Sequence, residues 1–421
     1  MNRLTESFRE VLDIANALQV DVTLAQEKLV PIVLAVNSGN GDPKAVAFWT
    51  RTTIRCFLGF LDGLSFAMRQ AVRRCAKDAG ITLTYKEQEN LKDTHLPTLD
   101  SLKLACRTFP GLFGSDYSLN TTGNEWLGLH RIVKVRKRFT HPKVFEDLAI
   151  HPALPVLLPT IIWTRREIMI LFSDIEQRLG LGPARQIPDL EPVREAPPSW
   201  VDVFKDEDYR LIQSEGGRTL EYAKRMFFML SEDTSTAMDF TKEAFPSSGI
   251  PLSPVLKFAF RSYARTLSSE IEGTISAVSF FLEAAVARKK VTLSEAEEFS
   301  LINGELEERF VAACNLWAHH FGNGYVLEKS GENWKHLRGT RAFRNRITHP
   351  KSLESLAVDL GLMDTLLGAH GFFLEGWGDG LYLDPEKFAE KAGGIEEAID
   401  REKTRAHEDP ESEEDLEEEA M

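Results

Sequence analysis

Two stretches decide how this chain is read: Arg131 to Lys143, RIVKVRKRFTHPK, and Arg338 to Lys351, RGTRAFRNRITHPK. Both end in Arg-x-Arg-x-Thr-His-Pro-Lys. Moving outward, a shift of 208 residues pairs Trp126, Leu129 and Glu146 with Trp334, Leu337 and Glu354, and Ala105-Cys106 with Ala313-Cys314. Further upstream, a shift of 210 pairs Phe48, Arg51, Arg55, Leu61, Asp62 and Gly63 with Phe258, Arg261, Arg265, Ile271, Glu272 and Gly273. A two-residue difference over so long a span suits a loop between helices. The chain reads as one domain duplicated, not as a solenoid of short repeats.

The repeated unit reads as helical. Ile54, Phe57, Leu58, Leu61 and Leu64 fall at helix spacing, as do Leu267, Ile271, Ile275 and Val278. Alternating β-branched runs between tight turns are scarce. The fold class expected is all-α: two tandem helical bundles packed as an intramolecular pseudo-dimer. The stretch GLGPARQIPDLEPVREAPPSW, from Gly180 to Trp200, has five prolines and suits an extended linker. The expected domains are therefore 1–180 and 201–395, joined by 181–200 and followed by an acidic tail over 396–421. Each lobe opens with a helix, expected over Ser7 to Leu18 and Arg218 to Lys242. The tail should be helical at most in its first part and then disordered.

Composition narrows the function classes. The 421 residues are enough for two or three domains, each with its own core. A net charge of −14 argues against a protein that coats DNA or anionic membrane by bulk charge. Nine acids between Glu408 and Glu419 carry most of that excess, so the body is only mildly acidic. The tail reads as a solvated end, as a nucleic-acid mimic covering a basic groove, or as a handle for a partner. Cys56, Cys75, Cys106 and Cys314 form no Cys-x-x-Cys pair, so neither a disulfide framework nor a zinc site is expected. That usage suits the cytoplasm. The apolar run Leu154 to Trp163 is short and broken by Pro155 and Pro159, so no membrane span is expected. No cofactor or metal is expected.

The residue types in the two blocks suit RNA cleavage. RNA carries its own nucleophile, the 2′-OH, and a base of near-neutral pKa must take its proton; histidine is the obvious choice. A fixed planar cation can stabilise the crowded phosphorane oxygens, which suits arginine. His141 and His349 are therefore assigned the acid–base work, and Arg136 and Arg344 the phosphate. The products would be a 2′,3′-cyclic phosphate and a 5′-OH end. Arg138, Lys143, Arg346 and Lys351 would hold the RNA backbone, because neither block contains an acid. Thr140 and Thr348 would bond a phosphate or their own helix backbone. Asp62 and Glu272 would orient the motif side chains, or form ordinary ion pairs near helix ends capped by Gly63 and Gly273. Trp126 and Trp334 read as core.

Helix geometry sets one condition. Five residues turn about 500°, which leaves Arg and His roughly 140° apart on a straight helix. Pro142 and Pro350 follow the histidines directly, so each helix should kink or end there, which could swing the imidazole toward the arginine or toward the other lobe's motif.

The twin blocks resemble the signature of the HEPN superfamily, small helical bundles bearing an Arg-x(4–6)-His motif. The residue after the arginine is often Asn, Asp or His in that family. Asn345 has that form in the second copy, whereas the first copy has Lys137. The resemblance implies paired domains whose motifs meet at one interface, and a metal-independent endoribonuclease of toxin–antitoxin or antiphage-defence type. Its implied partners are RNA and an antitoxin or other defence-system protein, with association of two chains left open. The alternative is a catalytically inactive HEPN pseudo-dimer that binds RNA or protein.

Overall fold

A computed structural model describes residues 3–38, 40–93, 96–143, 147, 154–181, 215–244, 252–359, 361–381, 385–392 and 395–408. Two runs of six helices follow one another in the same order. The first comprises α1 (Arg3–Asn37), α2 (Pro43–Cys75), α3 (Tyr85–Lys92), α4 (Thr98–Thr108), α5 (Asn124–Thr140) and α6 (Leu154–Arg178). The second comprises α7 (Glu215–Glu243), α8 (Pro254–Ala287), α9 (Glu295–Ile302), α10 (Leu306–His320), α11 (Gly331–Thr348) and α12 (Gly361–Glu375). Two further helices close the described chain, α13 (Pro385–Ala392) and α14 (Glu396–Glu408). The fold is all-α, with no strand among the described residues.

The opening helix α1 runs well past Leu18, because Val22, Ala25, Leu29 and Val33 continue its buried stripe at three- and four-residue spacing. The expected Arg218 to Lys242 helix lies within α7. Pro155 and Pro159 do not break the apolar run; they sit in the first two turns of α6. Among the described residues, no helix is long and apolar enough to cross a membrane. The first part of the acidic tail is helical, as α14, while residues 409–421 and all of the expected linker except Leu181 lie outside the described residues.

Matching sequence devices start and fix matching helices. Asp42 caps α2 by accepting from the Lys44 amide, with Pro43 at the first helical position. Ser253 caps α8 by accepting from the Leu256 amide, with Pro254 in the same place. Thr84 with Glu87 and Ser294 with Glu297 form reciprocal capping boxes on α3 and α9. The Tyr117 hydroxyl donates to Glu167 at 2.9 Å, and the Tyr325 hydroxyl donates to Glu375 at 2.7 Å.

One close approach is conserved in kind but exchanged between helices. Gly128 on α5 faces Thr160 on α6, and a methyl at Gly128 would overlap the threonine hydroxyl. In the second half the glycine is Gly368, on α12, and the larger partner is His336, on α11.

The core passes through both halves without a break, and α2 and α8 run along its centre. Trp126 is fully inside it, and Trp334 is half-buried against Phe372 at 5.5 Å. Across the contact between the halves lie two buried ion-pair clusters of near-identical design. Asp233 on α7 accepts both Nε and Nη2 of Arg51, at 2.7 and 2.6 Å, and Nη1 of Arg55 at 3.1 Å. Asp21 on α1 accepts Nε and Nη2 of Arg261, at 2.9 and 2.6 Å, and Nη1 of Arg265 at 3.0 Å. Each half's first helix thus grips the other half's second helix. The side chains are no more than 6% exposed. Burial alone would raise the carboxyl pKa of Asp233, but Arg51 and Arg55 outweigh it and hold that pKa below the ordinary value.

Removing one partner of such a cluster strands buried arginines without a counter-charge. Asp21→Ala and Asp233→Ala should each cost about 3–5 kcal/mol in urea unfolding. Asp78→Ala, which breaks the exposed Arg3–Asp78 pair, should cost less than about 1 kcal/mol. Equal small losses at all three positions would mean that the clusters do not hold the halves together.

Candidate functional site

Each motif sits at a helix end, as the following prolines require. Helix α5 ends at Thr140 and α11 at Thr348, so His141 and His349 are the capping residues just outside them. Their backbones are alike, with φ −128° and ψ 58° at His141 and φ −124° and ψ 64° at His349. The departure from helical geometry turns each imidazole toward the opposite half.

His141 reaches α8. Its Nδ1 lies 3.4 Å from the Ser276 hydroxyl, and Glu272, one turn earlier on the same helix face, acts on its charge. Glu272 also holds Arg344, the arginine of the other motif, at 3.7 Å. The mirror arrangement occurs on α2. Asp62 holds Arg136 at 3.5 Å, and Phe66, one turn later, packs against the His349 ring with centroids 5.3 Å apart. Pro350 seats itself beside Gly63, where a methyl would come within 3.3 Å of its ring. His141 and Arg344 therefore meet along α8 at Ser276 and Glu272, and Arg136 and His349 meet along α2 at Asp62 and Phe66.

Both acids pair with motif arginines, and the glycines beside them are not caps. Gly63 and Gly273 lie in the middle of α2 and α8. The motif arginines stay about a quarter exposed, with side-chain exposures of 28% at Arg136 and 25% at Arg344, so each can still meet a ligand while it is paired. Arg344 also donates to its neighbour Asn345 at 3.2 Å. Lys137 and Asn345 are exposed at equivalent positions. Burial lowers the His141 pKa, Glu272 raises it, and Arg136, Arg309 and Lys137 lower it again; the net shift is downward. The ring is therefore largely neutral at pH 7 and able to accept a proton.

The threonines and outlying cations divide differently. Thr348 is buried and bonds the Arg344 carbonyl of its own helix at 2.8 Å, the local alternative to a phosphate contact. Thr140 is buried as well. Arg346 donates to the Ala357 carbonyl at 3.1 Å and lies over the Phe343 ring, so its guanidinium is engaged by its own half. Lys351 is exposed and Arg138 half-buried. Lys143 is exposed and lies 3.8 Å from Glu402 of α14, which brings the start of the acidic tail to the edge of the first motif. The second block is less basic in space than in sequence. Arg338 and Arg341 pair with Glu307, at 3.8 and 3.2 Å, and Arg341 also pairs with Glu305. Those acids come from α10, more than 30 residues upstream.

Sequence reasoning passed over Ser276, Phe66 and Arg309. The first two are equivalent positions under the 210-residue shift but differ in type, so the comparison of the repeats did not mark them. The signal available was their place one turn after Asp62 and Glu272.

No protein-family model matches the chain, and neither a curated protein nor a solved structure does.

The electrostatics of His141 can be read directly by NMR titration. Its midpoint should lie below the ordinary histidine value of about 6.5. Glu272→Gln should lower it further, because the carboxylate favours the imidazolium, and Arg136→Gln should raise it. A midpoint unmoved by Glu272→Gln would separate His141 from the second half's acid.

Proposed function

We propose that this chain is a metal-independent endoribonuclease of the HEPN type, working through a composite site to which both halves contribute. One observation carries the reading: the histidine of one motif and the arginine of the other meet the same helix one turn apart, at Ser276 and Glu272 of α8. In the proposed reaction a neutral imidazole takes the proton of a 2′-OH, whose oxygen attacks the adjacent phosphorus. The bond from phosphorus to the 5′ oxygen breaks, and the second imidazole, protonated, returns a proton to that oxygen. Arg136 and Arg344, held by Asp62 and Glu272, meet the charge that builds on the phosphorane oxygens. Because the nucleophile belongs to the substrate, the scheme needs no bound metal to generate it. His141, neutral at pH 7, suits the base. Lys137, Lys143 and Lys351, all exposed, would steer the strand. A role in bacterial toxin or antiphage systems, in the cytoplasm and under an antitoxin-like partner, follows from the HEPN resemblance.

A second reading has its own support. Glu305 and Glu307 neutralise Arg338 and Arg341, and the first motif carries Lys137 where the second has Asn345. Both features suit a pseudo-dimer that binds RNA or protein without cutting it.

Incubation with total RNA in EDTA separates the two. Wild type should leave 2′,3′-cyclic phosphate ends, and His141→Ala/His349→Ala should lose about 10²-fold or more in rate. RNA retained on the protein but uncut by either form would favour the binding module, and loss of cleavage on adding EDTA would contradict the proposed chemistry.

A further inference from the structure

Away from the motifs, the end of α2, the connection after it and the facing side of α3 form an open cavity of about 300 Å³. Its cationic lining is Arg73, Lys77 and Lys92, Gln88 adds an amide, and Ile81 and Leu83 form an apolar wall. No acid is among the lining residues, although the chain as a whole carries −14. The volume is at the lower end of small-molecule sites. All three cationic side chains are exposed, so their charges face the solvent side of the cavity. Glu89 steadies Lys92 at 2.9 Å, and Gln70 accepts from Arg73 at 3.1 Å. The wall is rigid because Arg69, buried beneath, donates to the Asn90 and Asp93 carbonyls at 2.9 and 2.7 Å and ties the end of α3 to α2.

The duplicate half provides an internal control. The 210-residue shift that aligns the capping boxes turns Ile81 and Leu83 into Val291 and Leu293, so the apolar wall is kept. The same shift turns Arg73, Gln88 and Lys92 into Glu283, Glu298 and Ile302. The corresponding corner is apolar in both halves, while the aligned rim positions are cationic in only one. Packing alone does not account for that difference, because the rim side chains are exposed in both.

We propose that this cavity binds the phosphate of a nucleotide, with the base or sugar against Ile81 and Leu83. The phosphate has two sources: a free mononucleotide, or a strand reaching from the motif cleft. The second is geometrically open. Asp62, Phe66 and Arg73 recur at four- and seven-residue intervals and share one face of α2, and Phe66 and Arg73 are about 10 Å apart along its axis.

The test uses the full chain and two probes that carry no cleavable ribose linkage, AMP and a six-nucleotide deoxyadenosine strand. Binding is therefore read whether or not the chain cuts RNA, and failure here leaves the nuclease reading untouched. Calorimetric titration should show AMP binding at least tenfold tighter than adenosine. Arg73→Ala/Lys77→Ala/Lys92→Ala should weaken AMP at least tenfold with an unchanged thermal midpoint. If that variant fails to fold, Lys92→Ile, which installs the second half's own residue, serves in its place with a loss of several-fold. Loss for AMP alone identifies a free nucleotide. Loss for the DNA strand, with a salt slope reduced by about 0.7 per contact removed, identifies a strand. No binding of either probe, or affinities equal in wild type and variant, overturns the proposal.

Discussion

Two buried carboxylates hold the architecture in register. Asp21 and Asp233 each accept hydrogen bonds from both of a pair of arginines on the opposite half's second helix. Desolvating three charges is expensive, and apolar side chains of equal volume would often give as much stability. What such a cluster supplies is a single permitted alignment: sliding α1 along α8 by one turn would leave a carboxylate and two guanidinium groups buried without partners. Because the same device occurs on both sides, α2 and α8 are fixed against each other at two points. The residues two and three turns further along those helices are Asp62, Phe66, Glu272 and Ser276, and they receive the motif side chains. The geometry of the candidate site is thus a consequence of ion pairs that take no part in it.

On that symmetric frame the two halves have diverged where they meet solvent. His141 faces a hydroxyl at Ser276, and His349 faces an aromatic ring at Phe66. A hydroxyl can fix the tautomer of the His141 imidazole. The basic flank is also unequal, since α10 supplies acids to the second block while the first is approached by Glu402. The exchange of glycine between Gly128 and Gly368 shows the same history inside the core: close helix packing was kept, and the side on which room is made was not.

Much of this was legible in the sequence. Apolar periodicity marks an all-α chain, the shift of about 210 residues pairs the two runs of six helices, and the prolines after His141 and His349 mark the helix ends. The acids at positions 62 and 272 were visible as equivalent residues, but their mid-helix setting was not, because Asp-Gly and Glu-Gly resemble a helix terminus when read locally. Inside α2 the glycine faces Leu18 of α1, which a methyl there would overlap, and Pro350, a contact from nearly 300 residues away. Arg51, Arg55, Arg261 and Arg265 stood out as repeated, but their partners did not. Asp21 and Asp233 are offset by 212, not 210, and lie in helices whose sequences have drifted too far to align. The basic surplus of the second block was overread for a similar reason: its neutralising acids are distant in the chain and adjacent in space.

The central claim is that the proposed site is shared, with His141 working beside Arg344 from the other half. A double-mutant cycle on RNA cleavage, comparing His141→Ala, Arg344→Ala and the pair, addresses it most directly. A shared site predicts that the double variant loses little more than the worse single one, since either change disables the same unit. Losses that multiply would place the two side chains in independent sites and contradict it.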